Sequence, residues 1–278
     1  MTLYFLIRLK FILRSDKMAR RSRRISSTGI YHIMLRGINK EQIFGKKHYK
    51  TKILKLLKET KDEIAFSIIA YCVMDNHFHL LAKIGNEDLK EIMKKLNVKY
   101  ALYYNRLEDR YGYVFQDRFK SEAVENEKYF LGVLRYIHNN PLKANLTDNI
   151  INYQWSSAKD YFYNNTDLID ENYMNYILNL FKTKDFFLVF HKSFDDNLYL
   201  DTKEEQIINK QLIVQREIEE FINNYGIVDK SQITFKMKEE LAKKLIKHNI
   251  ITIKEVAGLC NLPYKQVLDI NKTLETSQ

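Results

Sequence analysis

Two cysteines in 278 residues leave no material for a disulfide framework. Cys72 and Cys260 lie far apart and match no metal-ligand or redox spacing, which fits a reducing compartment. Long apolar runs are missing as well. The stretch MTLYFLIRLKFILRSDK is broken by Arg8, Lys10 and Arg14, far short of the ~20 apolar residues a membrane helix needs. It also lacks an uninterrupted apolar core with a small-residue cleavage site, so a signal peptide is a poor fit. A cytoplasmic protein is expected. Met18 opens a short basic arm and a Ser/Gly turn, and translation is expected to start there.

What is present in excess is positive charge. The formal net charge is +10, and it is unevenly placed. Residues 1–24 carry a net of +7, residues 25–160 a net of +6, residues 161–235 a net of −6 and residues 236–278 a net of +3. Basic segments attract phosphate backbones, and an acidic segment between them is ill suited to the same nucleic acid. The sign change near 161 marks a candidate boundary. The expected organisation is a basic arm (1–24), a first domain (25–160), an acidic helical linker (161–235) and a C-terminal domain (236–278). The hydrophobic fraction of 45% is ordinary for chains that bury a core.

Within 25–160 the periodicity alternates between strand and helix. GIYHIMLRGI (29–38) reads as a strand. HYKTKILKLLKETKDEI (48–64) spaces Ile53, Leu56 and Leu57 as a helix. AFSIIAYCVM (65–74) and HFHLLAKI (77–84) read as a hairpin turning at Asp75-Asn76. Residues 87–112 predict a long helix stopped by Gly112, residues 113–126 a strand, and residues 127–140 a helix that meets Pro141. The order β-α-β-β-α-β-α predicts an α+β fold: a ferredoxin-like split βαβ unit with an antiparallel sheet, followed by an all-helical C-terminal region.

Side chains alternate across a strand, so His77 and His79 share one face and Phe78 takes the other. Two imidazoles on one face can hold one divalent ion.

Together these stretches resemble a known family. DNHFHLLAKI resembles the His-hydrophobe-His (HUH) motif of single-strand DNA nucleases. MARRSRRISSTGIYHIMLRGINKEQIF, VFQDRFKSEAV and LRYIHNNPLKANL, in that order, resemble the REP-associated branch of the insertion-sequence tyrosine transposases. The resemblance runs from about Met18 to about Trp155. It implies a metal-dependent endonuclease and strand transferase that acts on single-stranded or hairpin DNA through a 5′-phosphotyrosine. A phenol, with a pKa near 10, needs a metal to stabilise charge on the phosphate. A covalent phosphotyrosine then conserves the bond for rejoining. Imidazole ligands point to Mn²⁺ or a later metal; Mg²⁺ follows from the resemblance.

The family places its nucleophile on the helix after the last strand, four residues before an amide. Here these are Tyr136 and Asn140, which share a helix face, and Asn140 becomes the third metal ligand beside His77 and His79. Tyr129, seven residues earlier, is the second choice. Arg36, Lys40, Arg118 and Lys120 flank the strands as candidate phosphate contacts. The arm residues Arg20, Arg21, Arg23 and Arg24 concentrate charge for the same use. Tyr103 and Tyr104 are candidates for stacking on unpaired bases.

TIKEVAGLCNLPYKQVLDI (252–270) reads as a helix-turn-helix similar to that of replication initiators. Thr252 caps its first helix, Ala257 permits close approach, Asn261 takes a left-handed turn and Val267 anchors the second helix. Tyr264, Lys265 and Gln266 would meet the base edges of duplex DNA. A nucleoid-associated monomer is expected. Two other readings share parts of this pattern: a non-enzymatic DNA-binding regulator on an inactive nuclease scaffold, and a rolling-circle replication initiator. The latter group carries a lysine three residues after the tyrosine, where this chain has Asn139.

Overall fold

The computed structural model describes residues 24–276, except 86–87, 194, 196, 228 and 230–231. Arg20, Arg21, Arg23 and the candidate start at Met18 lie outside the described residues. The chain forms two compact units, one ending at Asp195 and the other beginning at Asp196.

The first unit is built on a four-stranded sheet. Its elements are β1 (Ile30–Arg36), α1 (Lys47–Glu63), β2 (Phe66–Val73), β3 (His77–Ile84), α2 (Leu89–Leu107), β4 (Lys120–Ala123) and α3 (Glu127–Lys143). The strand order is β2-β3-β1-β4, with every neighbouring pair antiparallel. This is the expected split βαβ arrangement in an α+β fold. The β1–β3 register sets Met34 opposite His79 and Arg36 opposite His77. Ile33, Leu35, Phe78 and Leu80, on the other face, are all buried, so both faces of the sheet are covered.

Three boundaries differ from the sequence reading. Helix α2 ends at Leu107, before Gly112, because Asp109 already takes a left-handed conformation at φ 46°. The strand expected over 113–126 shrinks to Lys120–Ala123. Val114 and Gln116 still bond the end of β1 through Ile38 N and Arg36 O, but the exposed polar run at Asp117 and Arg118 interrupts the ladder. Helix α3 runs through Pro141 to Lys143. Pro141 falls in the last turn, and the carbonyls of Asn140, Pro141 and Leu142 accept from the N–H groups of Ala144, Leu146 and Asn145.

Beyond the charge reversal near 161 the first unit continues through α4 (Ala158–Tyr163), α5 (Glu171–Phe181) and α6 (Lys184–Lys192). These helices turn an apolar side inward, with Tyr161, Met174, Ile177 and Phe187 buried. The expected linker 161–235 is thus divided between the two units.

The second unit contains α7 (Lys203–Asn224), α8 (Phe235–Lys247), α9 (Ile253–Cys260) and α10 (Tyr264–Thr276). All four helices contribute to one apolar core that includes Val214, Phe221, Leu245, Val256 and Val267. Thr252 and Glu255 form a reciprocal capping box at the start of α9. Asn261 ends that helix in a left-handed conformation at φ 50°, and Leu262 N bonds back to Ala257 O. Among the described residues no helix is long and apolar enough to cross a membrane.

Candidate active site

His77 and His79 project from β3 onto the face covered by α3. Their ring centroids are 5.0 Å apart and nearly perpendicular. His77 Nδ1 donates to Asn76 Oδ1 at 2.7 Å, so a neutral His77 carries its lone pair on Nε2. Tyr136 descends from α3 and sets its ring 5.6 Å from that of His79, edge on. Asn140, one turn further, is buried, and its Nδ2 donates to the Tyr136 carbonyl at 2.9 Å. With the amide nitrogen so engaged, Oδ1 is the atom of Asn140 able to ligate a cation.

Two residues that sequence reasoning passed over join this group. His32 of β1 is fully buried, and its Nε2 lies 3.0 Å from His79 Nδ1. Its ring also meets that of Tyr136 at 5.9 Å. Lys143, two turns after Tyr136, holds its ammonium 4.4 Å from the centre of the phenol ring. The seven-residue spacing was a legible signal for Lys143. For His32 the only signal was its parity with the outward positions of β1, and that required the register.

Burial dominates the electrostatics. It pulls the His32 imidazole down to about 3. It holds His79 well below the usual histidine value, with smaller like-charge contributions from His77, His32 and Lys143. Both rings are therefore neutral near pH 7, the state a metal ligand must have. The buried imidazoles of His77 and His79 and the amide oxygen of Asn140 make a donor set that fits a divalent ion.

The remaining candidates are dispersed. Tyr129, the second choice for nucleophile, donates its hydroxyl to Glu122 of β4 at 2.6 Å. Arg36 is half-buried opposite His77; Lys40, Arg118 and Lys120 are exposed. Arg24 reaches Glu125 at 3.9 Å. Tyr103 lines a groove of about 590 Å³ with Lys47, His48, Lys52 and Lys55, whereas Tyr104 is buried against Tyr49 and Tyr100. In the second unit Tyr264 and Lys265 are exposed at the start of α10, and Gln266 donates to Glu239 of α8 at 2.7 Å.

A second buried histidine pair lies on the opposite side of α3. His191 Nδ1 donates to the Phe187 carbonyl at 2.7 Å, which leaves its Nε2 to accept from His138 Nδ1 at 2.8 Å. His138 Nε2 then accepts from Ser157 Oγ at 2.9 Å, and Ser157 Oγ accepts from Tyr71 N on β2. Arg135 and Asn139, on the same side, bond Asp195 and the His191 carbonyl. The chain of bonds fastens α3 to α6 and β2, with every donor matched to an acceptor.

Residues 26–140, which span β1 to Asn140, match the family model described as "Transposase IS200 like". That stretch lies within the first unit and makes up less than half of the chain. No curated protein matches the chain significantly. Among solved structures, the chain is similar to a REP-associated tyrosine transposase bound to a REP hairpin, at 19% identity over 50% of this chain and 82% of that one, with a TM-score of 0.43. It is also similar to a Deinococcus radiodurans R1 protein provisionally named a transposase, at 14% identity over 46% of this chain and 97% of that one, with a TM-score of 0.31. The matched stretch thus coincides with the sheet and helix that hold the histidines and Tyr136.

Proposed function

We propose that the protein is a metal-dependent DNA endonuclease and strand transferase of the tyrosine transposase type. The observation that carries this reading is the placement of Tyr136 on α3 directly against the buried His79 ring. Tyr136 is the nucleophile: its oxygen bonds to a DNA phosphorus, the 3′-oxygen leaves, and a 5′-phosphotyrosine remains. Lys143, over the phenol ring, supplies positive charge near the phenol as it sheds its proton and attacks. His77 Nε2, His79 Nε2 and Asn140 Oδ1 would hold Mg²⁺ or Mn²⁺. Such an ion supplies charge stabilisation on the phosphate oxygens when bound. His77 is oriented by Asn76, and Asn140 by the Tyr136 carbonyl, so each donor is held by a hydrogen bond of its own.

The substrate in this reading is single-stranded DNA able to form a hairpin. Arg36, Lys40, Arg118, Lys120 and the arginines of the arm (Arg20, Arg21, Arg23, Arg24) contribute phosphate contacts. Tyr264, Lys265 and Gln266 serve a second mode, duplex binding by the helix-turn-helix, in a protein that works as a monomer at the nucleoid. The test is incubation with labelled single-stranded hairpin DNA from the flanks of its own gene, with Mg²⁺ or Mn²⁺. A covalent protein–DNA band that survives denaturation is expected. Duplex binding without any such band would instead favour a regulator built on an inactive nuclease scaffold.

A further inference from the structure

The His32–His79 contact is left unused by the reaction as described, yet it decides whether His79 can serve as a ligand. Two neutral imidazoles with facing nitrogens 3.0 Å apart share a single hydrogen. Two arrangements satisfy that distance. In one, His79 donates from Nδ1 and keeps its lone pair on Nε2. In the other, His32 donates from Nε2, His79 carries its hydrogen on Nε2, and that nitrogen cannot bind a cation. Only the first is compatible with the site proposed above.

We infer that His32 is a positioning residue that, with metal bound, accepts a hydrogen bond from His79 Nδ1 and thereby holds the His79 ring with Nε2 toward the metal. This rests on the metal reading of the site and adds to it a residue outside the ligand set. Three observations support it. The antiparallel register fixes His32 two residue pairs along from His79, diagonally across the same face, so the contact is set by backbone pairing rather than by loose side chains. Both rings are fully buried, so water does not compete for the bond. His32 cannot be a ligand through Nε2, which faces His79, and its Nδ1 has no hydrogen-bond partner among the described residues.

The buried pair His138–His191 shows what His32 lacks. There the direction of every hydrogen is imposed by the Phe187 carbonyl, which can only accept. Nothing comparable ends the chain at His32 Nδ1. In the arrangement that binds metal, Nδ1 carries an unmatched hydrogen; in the other it carries an unmatched lone pair, which proteins tolerate more readily. Metal binding is then what selects the arrangement, and His32 is a partner able to take either part.

The test uses the full chain. Orienting partners of metal-bound histidines typically change affinity 10–100-fold. His32→Phe keeps a ring and removes the acceptor; Mn²⁺ affinity, read by titration calorimetry, should fall about 10- to 100-fold. His32→Gln places Oε1 near the lost Nε2, and affinity should return to within a few-fold of wild type. In the wild type with Mg²⁺, ¹⁵N spectra of the histidine rings should place the His79 hydrogen on Nδ1. Unchanged Mn²⁺ affinity in His32→Phe, no recovery in His32→Gln, or a His79 hydrogen on Nε2 with Mg²⁺ bound would each overturn the inference. A wild type that binds no Mn²⁺ at all would overturn the metal reading itself, and this inference with it. If His32→Phe fails to fold, the Gln variant and the wild-type spectra still decide.

Discussion

Helix α3 separates two buried histidine pairs made of the same chemical parts. His138–His191 lies on one side, and every nitrogen in it is spoken for: a carbonyl at one end, a serine hydroxyl at the other. His32–His79 lies on the other side, adjoins His77 and Tyr136, and has an unmatched nitrogen at His32. Burying a polar group costs about 1–3 kcal/mol when it lacks a partner. The first pair avoids that cost and reads as architecture. The second incurs it, and such exceptions concentrate where a protein does chemistry. Identical residue types, equally buried, are told apart by how their hydrogen-bond chains end.

The sharpest way to break this comparison is at Tyr136. Tyr136→Phe removes one oxygen from the reactive side and should reduce the covalent DNA adduct to background, with a melting temperature within a degree or two of wild type. A surviving adduct on denaturing gels would move the nucleophile elsewhere, with Tyr129 the next residue to change.

The second test separates the sides by pH. Burial lowers His191 to about 4 and holds His138 well below its ordinary value, against an unfolded value near 6.5. Between those limits the unfolded chain binds protons that the folded chain refuses. Stability is therefore complete above about pH 6.5 and declines as pH falls toward 4, by on the order of 3 kcal/mol for His191 alone. Urea melts between pH 7 and pH 4.5 should show the decline, and replacing both residues by a Phe/Leu pair should make it shallower, leaving the share that His32 and His79 contribute. An unchanged slope in that double variant would mean the pair is not the source.

A smaller effect is expected at Asn140. If its oxygen ligates, Asn140→Ala should weaken Mn²⁺ binding about tenfold, with activity partly restored at high metal. Loss of thermal stability with unchanged affinity in calorimetry would make it a helix residue only, bonded to the Tyr136 carbonyl. Smallest of all should be Lys265→Ala in the helical unit, where nothing buried is disturbed. Duplex affinity should fall a few-fold, and the slope of log affinity against log salt should shrink by about one; an unaltered slope would take Lys265 off the DNA.

Much of this was open to a reader of the sequence. Strand β3 begins and ends where HFHLLAKI does, because the turn-prone Asp75-Asn76 precedes that apolar run and Gly85 follows it. Asn261 adopts the left-handed turn that the helix-turn-helix spacing asked of it. His32 was hidden for a physical reason: its partner is decided by the β1–β3 register, a long-range pairing that local pattern does not encode. His138 and His191 were hidden likewise, being joined only when α6 folds back on α3. The extension of α3 past Pro141 was missed because a proline was read as a stop, although in a final turn it costs a single N–H.

The bond chain from Phe187 to Tyr71 also has a consequence for how this domain can drift in sequence. A carbonyl, two rings and a hydroxyl hold four hydrogens in one fixed direction, and no other side chain offers both an acceptor and an opposed donor at ring-width spacing. Changing His138 alone strands His191, and changing His191 alone strands His138. Descendants of this chain should therefore keep the two together or lose them together, and a relative with one but not the other should show a third change nearby, at Ser157 or on the inner side of α6.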